Sequence, residues 1–263
     1  METNIDISPN VASNSKVEAI LKRYKEADAL KLQWKDKFEE AYEYCLPQRE
    51  SFYDEEAGQK RTDKIFDETA VVGIQEFASR LQAGIVPTFA RWANFEAGSE
   101  VPEDNIEEVN GALDKITQYV FELLSSSNFN SEVHEAFMDL AVGTGCMLVE
   151  EGDAVNPIKF SAIPLPHLIL DNGPMNTIDT IFRKRRCKIS EIKIMYPKAT
   201  IPEDVLQSMN ADKKCTLIDG VYRVYDEPNV EKYKHCVILL EKKVIVFEEM
   251  FEGVGSNPYI TFR

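Results

Sequence analysis

Histidine and cysteine, the side chains that hold most protein-bound transition metals, are scarce in this sequence. There are three histidines and five cysteines among 263 residues. No two cysteines form a CxxC or CxxH pair, and no histidine has a second ligand-type residue at the spacing of a helical zinc site. The sequence therefore predicts no metal site, no cofactor, and reduced thiols in a cytosolic compartment. These residues are His134, His167, His235, Cys45, Cys146, Cys187, Cys215 and Cys236.

Positive charge is also in deficit. The chain has 30 Lys and Arg against 45 Asp and Glu, which gives a formal net charge of −15. Such acidity argues against a surface built to neutralise nucleic-acid phosphates. The hydrophobic fraction of 44% and the charged fraction of 29% are those of a folded protein with a sizeable core. This composition excludes global disorder.

Long apolar runs are missing as well. No stretch approaches the roughly 18 consecutive apolar residues of a membrane-spanning helix. The opening sequence METNIDISPNVASNSK lacks the basic start and apolar block of a secretory signal. We therefore expect neither a secreted nor a membrane-spanning product.

Motifs that carry catalysis are absent or have a simpler interpretation. There is no GxSxG sequence, and no Ser/His/Asp set is indicated by spacing. Gly143-Thr144-Gly145 follows a predicted helix and precedes a predicted strand, whereas phosphate-binding loops run from strand to helix. The adjacent acids Glu150 and Glu151 point to opposite faces of a strand and so favour a solvated edge. We predict no catalytic residue and expect that the chain is not an enzyme.

In the first half of the chain, apolar residues recur at the helical spacing of about 3.6 residues. We expect a flexible arm over 1–14, followed by a helix that Ser15 caps and Pro47 ends. The apolar stripe of this helix includes Trp34 and Tyr42, which we interpret as packing core rather than as a stacking platform for bases.

Three more helices are predicted before the middle of the chain. One opens at Thr62 or Asp63 and stops at Pro87. The next follows the sequence SEVPEDN, and the last runs from about Ser131 to Gly143. The sequence CMLVEEG, directly after these helices, is the first strand candidate.

The second half consists of short apolar runs separated by Pro, Gly, Asn or Asp, which favours strands joined largely by hairpins. Within it, Ser190 can cap one short helix and Pro202 can start another. The predicted class is α+β, with about four helices followed by a mainly antiparallel, strand-rich part with short helices. The predicted division is an arm over 1–14, a helical part over 15–145 and a strand-rich part over 146–263.

A basic run is the strongest local charge feature of this acidic chain. It could bind phosphate or an acidic partner. Alternatively, it is an amphipathic strand whose charges lie in water or pair with neighbouring carboxylates. The run comprises Arg183, Lys184, Arg185, Arg186 and Lys188.

The order of several segments resembles the head-to-tail connector, or portal, proteins of short-tailed phages. These segments are a YCLP helix exit, EFASRLQAGIVPTFARWANFEAG, VHEAFMDLAVGTGCMLVEEG and NPIKFSAIPLPHLILDNGPMNTIDTIFRK. The family has a small-residue helix that ends in a proline and is followed by a tryptophan, and later a helix, a Gly-x-Gly turn and a hydrophobic strand. The matching positions are Gly84, Pro87, Trp92, Gly143 and Gly145, and small residues in the first motif would permit close helix contact.

The resemblance implies a structural virion protein that assembles as a ring, typically a dodecamer, at one capsid vertex. It implies a channel for packaging and ejecting double-stranded DNA, which passes non-specifically, and docking sites for terminase, capsid and tail proteins. The expected location is the portal vertex of the virion, and the host cytoplasm during assembly. The net acidity is consistent with a channel that should not bind phosphate tightly.

In this resemblance, residues 15–263 correspond to the outer wing, and the family's stem, clip and crown have no counterpart. We therefore expect that this piece alone does not form a conducting ring. For the basic run we hypothesise a contact with an acidic surface of a neighbouring subunit. Two alternatives stay open: a different virion or tail adaptor protein without a channel, and an enzyme of unknown type.

Overall fold

The structure is a computed structural model of the chain and describes residues 9–53, 62, 65–174, 176–203, 214–227 and 230–263, with side chains from residue 15 onward. Its α-helices are α1 Pro9–Leu32, α2 Lys35–Cys45, α3 Thr69–Ile85, α4 Ile106–Ser126, α5 Phe129–Val142 and α6 Ile189–Met195. Its strands are β1 Gly145–Glu151, β2 Ile158–Ala162, β3 Leu168–Asn172, β4 Ile178–Lys188, β5 Lys214–Val224, β6 Lys232–Leu239, β7 Val244–Glu252 and β8 Tyr259–Phe262. The predicted α+β class, helical first and strand-rich second, is confirmed.

The long first helix that we predicted is two helices. α1 has already begun at Pro9, so Ser15 is not its cap. The helix ends at Leu32. The amide of Trp34 donates a hydrogen bond of 3.0 Å to the carbonyl of Lys31, three residues earlier. Trp34 is 54% exposed and lies outside the core that we predicted for it, whereas Tyr42 on α2 is fully buried.

Other helix boundaries move by a few residues. α3 begins at Thr69 rather than at Thr62 or Asp63, and the carboxylate of Asp67 accepts a hydrogen bond from the Thr69 amide at 2.6 Å. Asp63 itself lies outside the described residues. α5 begins at Phe129 rather than near Ser131.

The two short helices predicted in the second half have different outcomes. α6 begins at Ile189, and the Glu191 carboxylate accepts a hydrogen bond from the Lys188 amide at 2.8 Å, so Lys188 rather than Ser190 is the capping position. The helix expected from Pro202 falls, beyond its first two positions, outside the described residues.

The chain divides into two compact units, and each is assembled from separated segments. Unit 1 comprises Met1–Asp36 and His167–Asn257. Unit 2 comprises Lys37–Pro166 and Pro258–Arg263. Residues 167–257 are therefore an insertion into the sequence of unit 2. The boundary that the sequence predicts between a helical part over 15–145 and a strand-rich part over 146–263 remains a prediction.

Unit 1 is built on an antiparallel five-stranded sheet of order β3-β4-β5-β6-β7. Because side chains alternate across a sheet, apolar residues can cover both of its faces. One face packs on α1 through a buried cluster comprising Val17, Ile20, Leu21, Tyr24, Ala27, Ile169, Phe182, Ile218, Cys236 and Ile238. The other packs on α6 through Cys187, Ile189, Ile192, Tyr196, Ile201, Cys215, Leu217, Val237, Leu239 and Val246.

Ion pairs fix α1 across its sheet. Arg23 donates through Nε to Asp171 at 2.6 Å and through Nη2 to Asp179 at 2.8 Å. Farther toward the helix start, Lys16 donates to Glu248 of β7 at 2.8 Å. The helix is therefore held to β3 and β4 at one point and to β7 at another.

Unit 2 contains a three-stranded antiparallel sheet of order β2-β1-β8, against which α5 packs, and α3 packs on α5. The central strand β1 starts with four buried residues, Gly145 to Leu148, and the strand predicted at CMLVEEG is confirmed. Side chains of α5 and the residue before it cover the edge strand β2. Asn128 exchanges two hydrogen bonds with the backbone of Phe160, and Glu132 accepts one from the Ala162 amide at 2.7 Å.

Candidate functional site

The basic run lies on β4, an interior strand of the unit 1 sheet that pairs with β3 and β5. Alternation places its residues on two different faces. Arg183 and Arg185 lie on the face that α6 covers, together with buried Cys187. Lys184 and Arg186 are exposed and lie on the opposite face. The five residues therefore form two separate groups rather than one patch.

The arginines on the α6 face lie beside a buried polar cluster. Arg183 stands directly opposite Asp219 of β5. The Asp219 carboxylate accepts a hydrogen bond from the Tyr196 hydroxyl at 2.7 Å and lies 2.7 Å from Nε2 of His235. Burial disfavours the charged carboxylate, but these hydrogen bonds and the nearby cations hold the pKa of Asp219 below its ordinary value.

These contacts join side chains of β5, β6 and the end of α6 in one buried cluster. Both oxygens of Asp219 are engaged, and the imidazole of His235 packs between the rings of Phe247 and Phe251 at centroid distances of 5.3 and 6.3 Å. Tyr196 therefore ties α6 to the sheet. The sequence analysis missed these residues, although an aspartate inside the apolar run LIDGV signals a buried carboxylate with partners.

The exposed basic group on the other face continues onto the end of α1 and the start of α2. Burial lowers the pKa of Lys31 to about 8, the carboxylate of Asp28 opposes this shift, and repulsion from Lys184 and Lys35 adds to it. Lys188 stands directly opposite Lys214 of β5, a pairing of like charges across neighbouring strands. We call the set Lys31, Lys35, Lys184, Arg186 and Lys188 the cationic surface.

Unit 2 has an exposed surface of the opposite sign. The segment before α4 runs alongside that helix, because the amide of Ala97 donates to the Asn110 side chain at 2.8 Å and that of Phe95 donates to Thr117 at 3.2 Å. This brings a continuous series of exposed carboxylates to the start of α4. We call this series, Glu96, Glu100, Glu103, Asp104, Glu107 and Glu108, the acidic surface.

Exposed apolar side chains occur in the segment before α4 and on α4 itself. Phe95 is 51% exposed, and Ile116 and Tyr119 on α4 are 51% and 60% exposed. The ion pairs of the described residues at this end of α4 join Arg91 to Asp114 and do not involve the six carboxylates. This segment and α4 thus carry both exposed negative charge and exposed apolar side chains.

The net charge of the chain is not shared between the units. Unit 1 has 20 Lys and Arg against 20 Asp and Glu, and is neutral. Unit 2 has 10 against 25, so the whole formal charge of −15 belongs to it. This division could not be seen along the sequence, because each unit combines two separated segments.

A buried ionic network lies within unit 2. Asp139 of α5 is fully buried, and its carboxylate accepts hydrogen bonds from the Tyr42 hydroxyl and from Nη1 of Arg49, the latter at 3.0 Å. Arg49 also pairs with the carboxylate of Glu135 and donates to its carbonyl. Burial raises the pKa of Asp139 to about 6, while Arg49 and Tyr42 oppose the rise.

A change of Asp139 to Asn should alter how stability depends on pH. Because the pKa of Asp139 is raised from 3.8 to about 6, its contribution to stability is fully present below pH 4. That contribution is lost as the pH rises to about 6. We expect the free energy of unfolding of the unchanged chain, relative to Asp139→Asn, to fall over this interval and then level off. Denaturant titrations of both chains across the pH range measure this difference in the free energy of unfolding.

Asp153 provides a control of opposite sign. Its carboxylate accepts hydrogen bonds from the amides of Asn156 and Val155, which lower its pKa. The contribution of Asp153 is therefore present at higher pH and is lost as the pH falls. If Asp139→Asn and Asp153→Asn changed the pH dependence in the same direction, the assignment for Asp139 would be wrong.

Close approach of neighbouring atoms requires a glycine at 145 and leaves little room for a side chain at 143. α5 ends at Val142, and neither glycine has a positive φ. A Cβ atom on Gly145 would lie 2.4 Å from the carbonyl oxygen of Ala136, and one on Gly143 would lie 3.2 Å from the side chains of Leu165 and Phe38. The turn therefore lets α5 pack directly on β1.

The structure agrees with the helix end predicted at Pro87 but not with the close helix contact predicted at Gly84. α3 ends at Ile85, two residues before Pro87, as the proline predicts. Trp92 packs against Phe121 and Phe129 at centroid distances of 5.4 and 6.2 Å. No described atom lies within 4 Å of a Cβ built on Gly84, so the close helix contact predicted there is not made within the described residues.

Features of metal enzymes and membrane proteins are not found in the described part of the chain. There, no group of three or more His, Cys, Asp or Glu side chains is arranged to hold a metal ion. None of the described helices combines the length and apolar character needed to cross a bilayer. What the described residues do offer is two charged surfaces of opposite sign.

Comparison with known proteins identifies the class. The profile of the family described as bacteriophage head to tail connecting protein matches residues 17–263, and the chain belongs to this family. It is also similar to a probable portal protein of Bordetella phage BPP-1, with 24% identity over 187 residues. That match covers 69% of this chain and 33% of the relative, so the chain matches about a third of the relative's length.

Proposed function

We propose that this chain is part of a portal subunit, which assembles as a ring, a dodecamer, at one vertex of the capsid. The match of the connector family to residues 17–263 carries this proposal. The name of the Bordetella phage relative supports it. In this proposal the protein is structural rather than enzymatic, and it occupies the portal vertex of the virion after assembly in the host cytoplasm.

The proposed ring encloses a channel through which terminase packages DNA and from which DNA is ejected. Tail and capsid proteins dock on its outer surfaces. The concentration of the whole net charge of −15 in unit 2 supports this role, because phosphates passing near such a unit are repelled rather than held. DNA then passes without sequence-specific contacts.

We propose further that residues 15–145 and 146–263 form the outer wing of the subunit. The match to about a third of the portal relative supports this, since the remaining parts of a portal subunit would come from sequence outside the match. We expect residues 1–263 expressed alone not to form a conducting ring. A closed ring of these residues in native mass spectrometry would contradict this expectation.

Imaging of the complete gene product that contains residues 1–263 tests the proposed function. We expect closed rings with a central channel in negative-stain electron microscopy, and a mass of twelve subunits in native mass spectrometry. Particles that remain monomeric, and that attach only to rings preformed by another protein, would instead indicate a virion or tail adaptor. A melting transition that a small ligand stabilises would indicate an enzyme.

A further inference from the structure

Two of the five cysteines, Cys187 and Cys215, meet in the core of unit 1. They stand directly opposite each other on the antiparallel strands β4 and β5, and their Sγ atoms are 3.8 Å apart. The Cys215 thiol also donates a hydrogen bond of 3.3 Å to the carbonyl oxygen of Cys187. The two residues are 28 positions apart, so the spacing of cysteines along the sequence did not indicate this pair.

The backbone at this pair already has the separation that a disulfide needs. Residues directly opposite in an antiparallel pair have Cα atoms about 4.5–5.5 Å apart, and disulfides join Cα atoms about 4.4–6.8 Å apart. The two sulfurs have to approach from 3.8 Å to about 2.0 Å. Rotation of the two side chains can supply this approach without a change in the pairing of β4 with β5.

The other cysteines of the chain do not share this arrangement. Cys236 belongs to the cluster on the α1 face of the unit 1 sheet, whereas Cys187 and Cys215 belong to the cluster on the α6 face. Cys45 and Cys146 belong to unit 2. The structure describes all five cysteines, and it places only the pair on β4 and β5 at facing positions of neighbouring strands.

The location of the pair at one end of these strands gives an oxidant access to it. Cys187 is the last residue but one of β4, and Cys215 is the second residue of β5. Strand ends open locally more often than the whole domain unfolds. Burial raises the pKa of both thiols, that of Cys215 to about 12, while the hydrogen bond from Cys215 opposes the rise at Cys187. Cys187 therefore reacts first, and the reaction is slow, over minutes to hours.

We propose that Cys187 and Cys215 form a redox site, which a small-molecule disulfide such as oxidised glutathione converts into an intramolecular disulfide. The Cys187 thiolate attacks one sulfur of oxidised glutathione, forms a mixed disulfide and releases one glutathione thiolate. The Cys215 thiolate then attacks the Cys187 sulfur of the mixed disulfide and releases the second glutathione thiolate. Two electrons thus pass from the cysteines to the oxidant, and the two thiol protons end on the two released glutathione molecules.

The disulfide joins the end of β4 to the start of β5 and closes a loop that contains α6. A closed loop reduces the conformational freedom of the unfolded chain. We therefore expect oxidation to raise the melting temperature of unit 1 by roughly 5–10 °C. The redox site goes beyond the proposed function and stands on the geometry of this chain. Only its timing rests on that function, because the thiols stay reduced in the cytoplasm and the bond forms once the virion has left the cell.

Incubation of the complete gene product that contains residues 1–263 with oxidised glutathione tests the redox site. Acid stops the reaction, free thiols are alkylated in denaturant, and peptides are identified by mass spectrometry before and after reduction. We expect a peptide pair that links Cys187 to Cys215 and that dithiothreitol separates. Free thiols at both positions after this treatment, glutathione retained on one of them, or a bond to a different cysteine would overturn the proposal.

Alanine variants separate the pair from the other buried cysteines. Cys187→Ala and Cys215→Ala should each prevent the bond and abolish the rise in melting temperature upon oxidation. Cys236→Ala is the matched control, because it removes a buried cysteine of the same sheet and should leave both effects unchanged. Thermal melting of each reduced variant establishes that it is folded. A bond that formed without the rise in melting temperature would contradict the stabilising effect.

Subunits from infected cells and from released particles test the timing. Subunits alkylated during lysis of the cells should carry free thiols at Cys187 and Cys215, and those from released particles should carry the bond. If the purified protein formed the bond but particle subunits remained reduced, the timing alone would be wrong. If the protein formed the bond but no rings, the proposed function would fail and the redox site would stand.

Discussion

Replacement of Arg49 by Ala should cost about 3–5 kcal/mol of unfolding free energy at pH 7, the range for breaking a buried ion pair. The side chain of Arg49 is 9% exposed and that of its partner Asp139 is fully buried. Removal of the guanidinium leaves a carboxylate in the interior with only the Tyr42 hydroxyl as a partner. Glu135 loses the same cation. Denaturant titration of the variant gives the loss directly.

The pH dependence of that loss distinguishes a buried charge from lost packing. Without Arg49, the pKa of Asp139 has no nearby cation to oppose the effect of burial. The carboxyl group then becomes neutral more readily, and the variant should recover part of its stability at pH 5. Combination with Asp139→Asn should likewise reduce the loss, because the amide is neutral.

Arg80 is the matched control for Arg49. It pairs with Glu76 one helical turn away, and both side chains are more than half exposed. Since exposed pairs of this kind contribute little, Arg80→Ala should change stability by no more than about 0.5 kcal/mol. A loss at Arg49 as small as that at Arg80 would show that the buried network does not hold α2 and α5 together.

Gly145→Ala should destabilise unit 2 by about 1–3 kcal/mol although it adds a single methyl group. The new Cβ would lie 2.4 Å from the carbonyl oxygen of Ala136, a backbone atom of α5 that cannot rotate away. Either α5 or β1 must move, and β1 is the central strand that pairs with both β2 and β8. Thermal and denaturant unfolding measure the cost.

Gly111→Ala is the opposite case and serves as the control. Gly111 lies within α4, is exposed, and has no described atom within 4 Å of a built Cβ. Alanine there should stabilise the helix by about 0.5–1 kcal/mol, because glycine loses more backbone entropy on folding. Equal effects of the two substitutions would contradict the assigned role of Gly145.

Local periodicity predicted the elements better than their boundaries. The alternation and helical spacing found α4, α5 and the strands of the second half. The division between α1 and α2 was missed because residues 33 and 34 are Gln and Trp, with no proline or glycine to signal an end. The start of α3 was missed because Phe66 extends the apolar spacing, yet its side chain is 95% exposed.

Contacts between residues far apart in the chain could not be predicted from the sequence alone. Arg23 of α1 binds Asp171, 148 residues later, and no local pattern connects the two. The basic run was recognised as a feature of one strand, but its partition between two faces needed the register of β4 and the packing of α1 and α6. Asp139 and Asp219 were detectable as carboxylates within apolar runs, whereas their partners were not.

The discontinuity of the two units determines the order in which a ribosome can complete them. The helices of unit 2, with β1 and β2, are synthesised before residues 167–257, but β8 emerges only after β7. All strands of unit 1 are therefore available while the sheet of unit 2 still lacks its third member. A nascent chain arrested after residue 257 would carry a complete unit 1 attached to a unit 2 whose central strand β1 has one open edge.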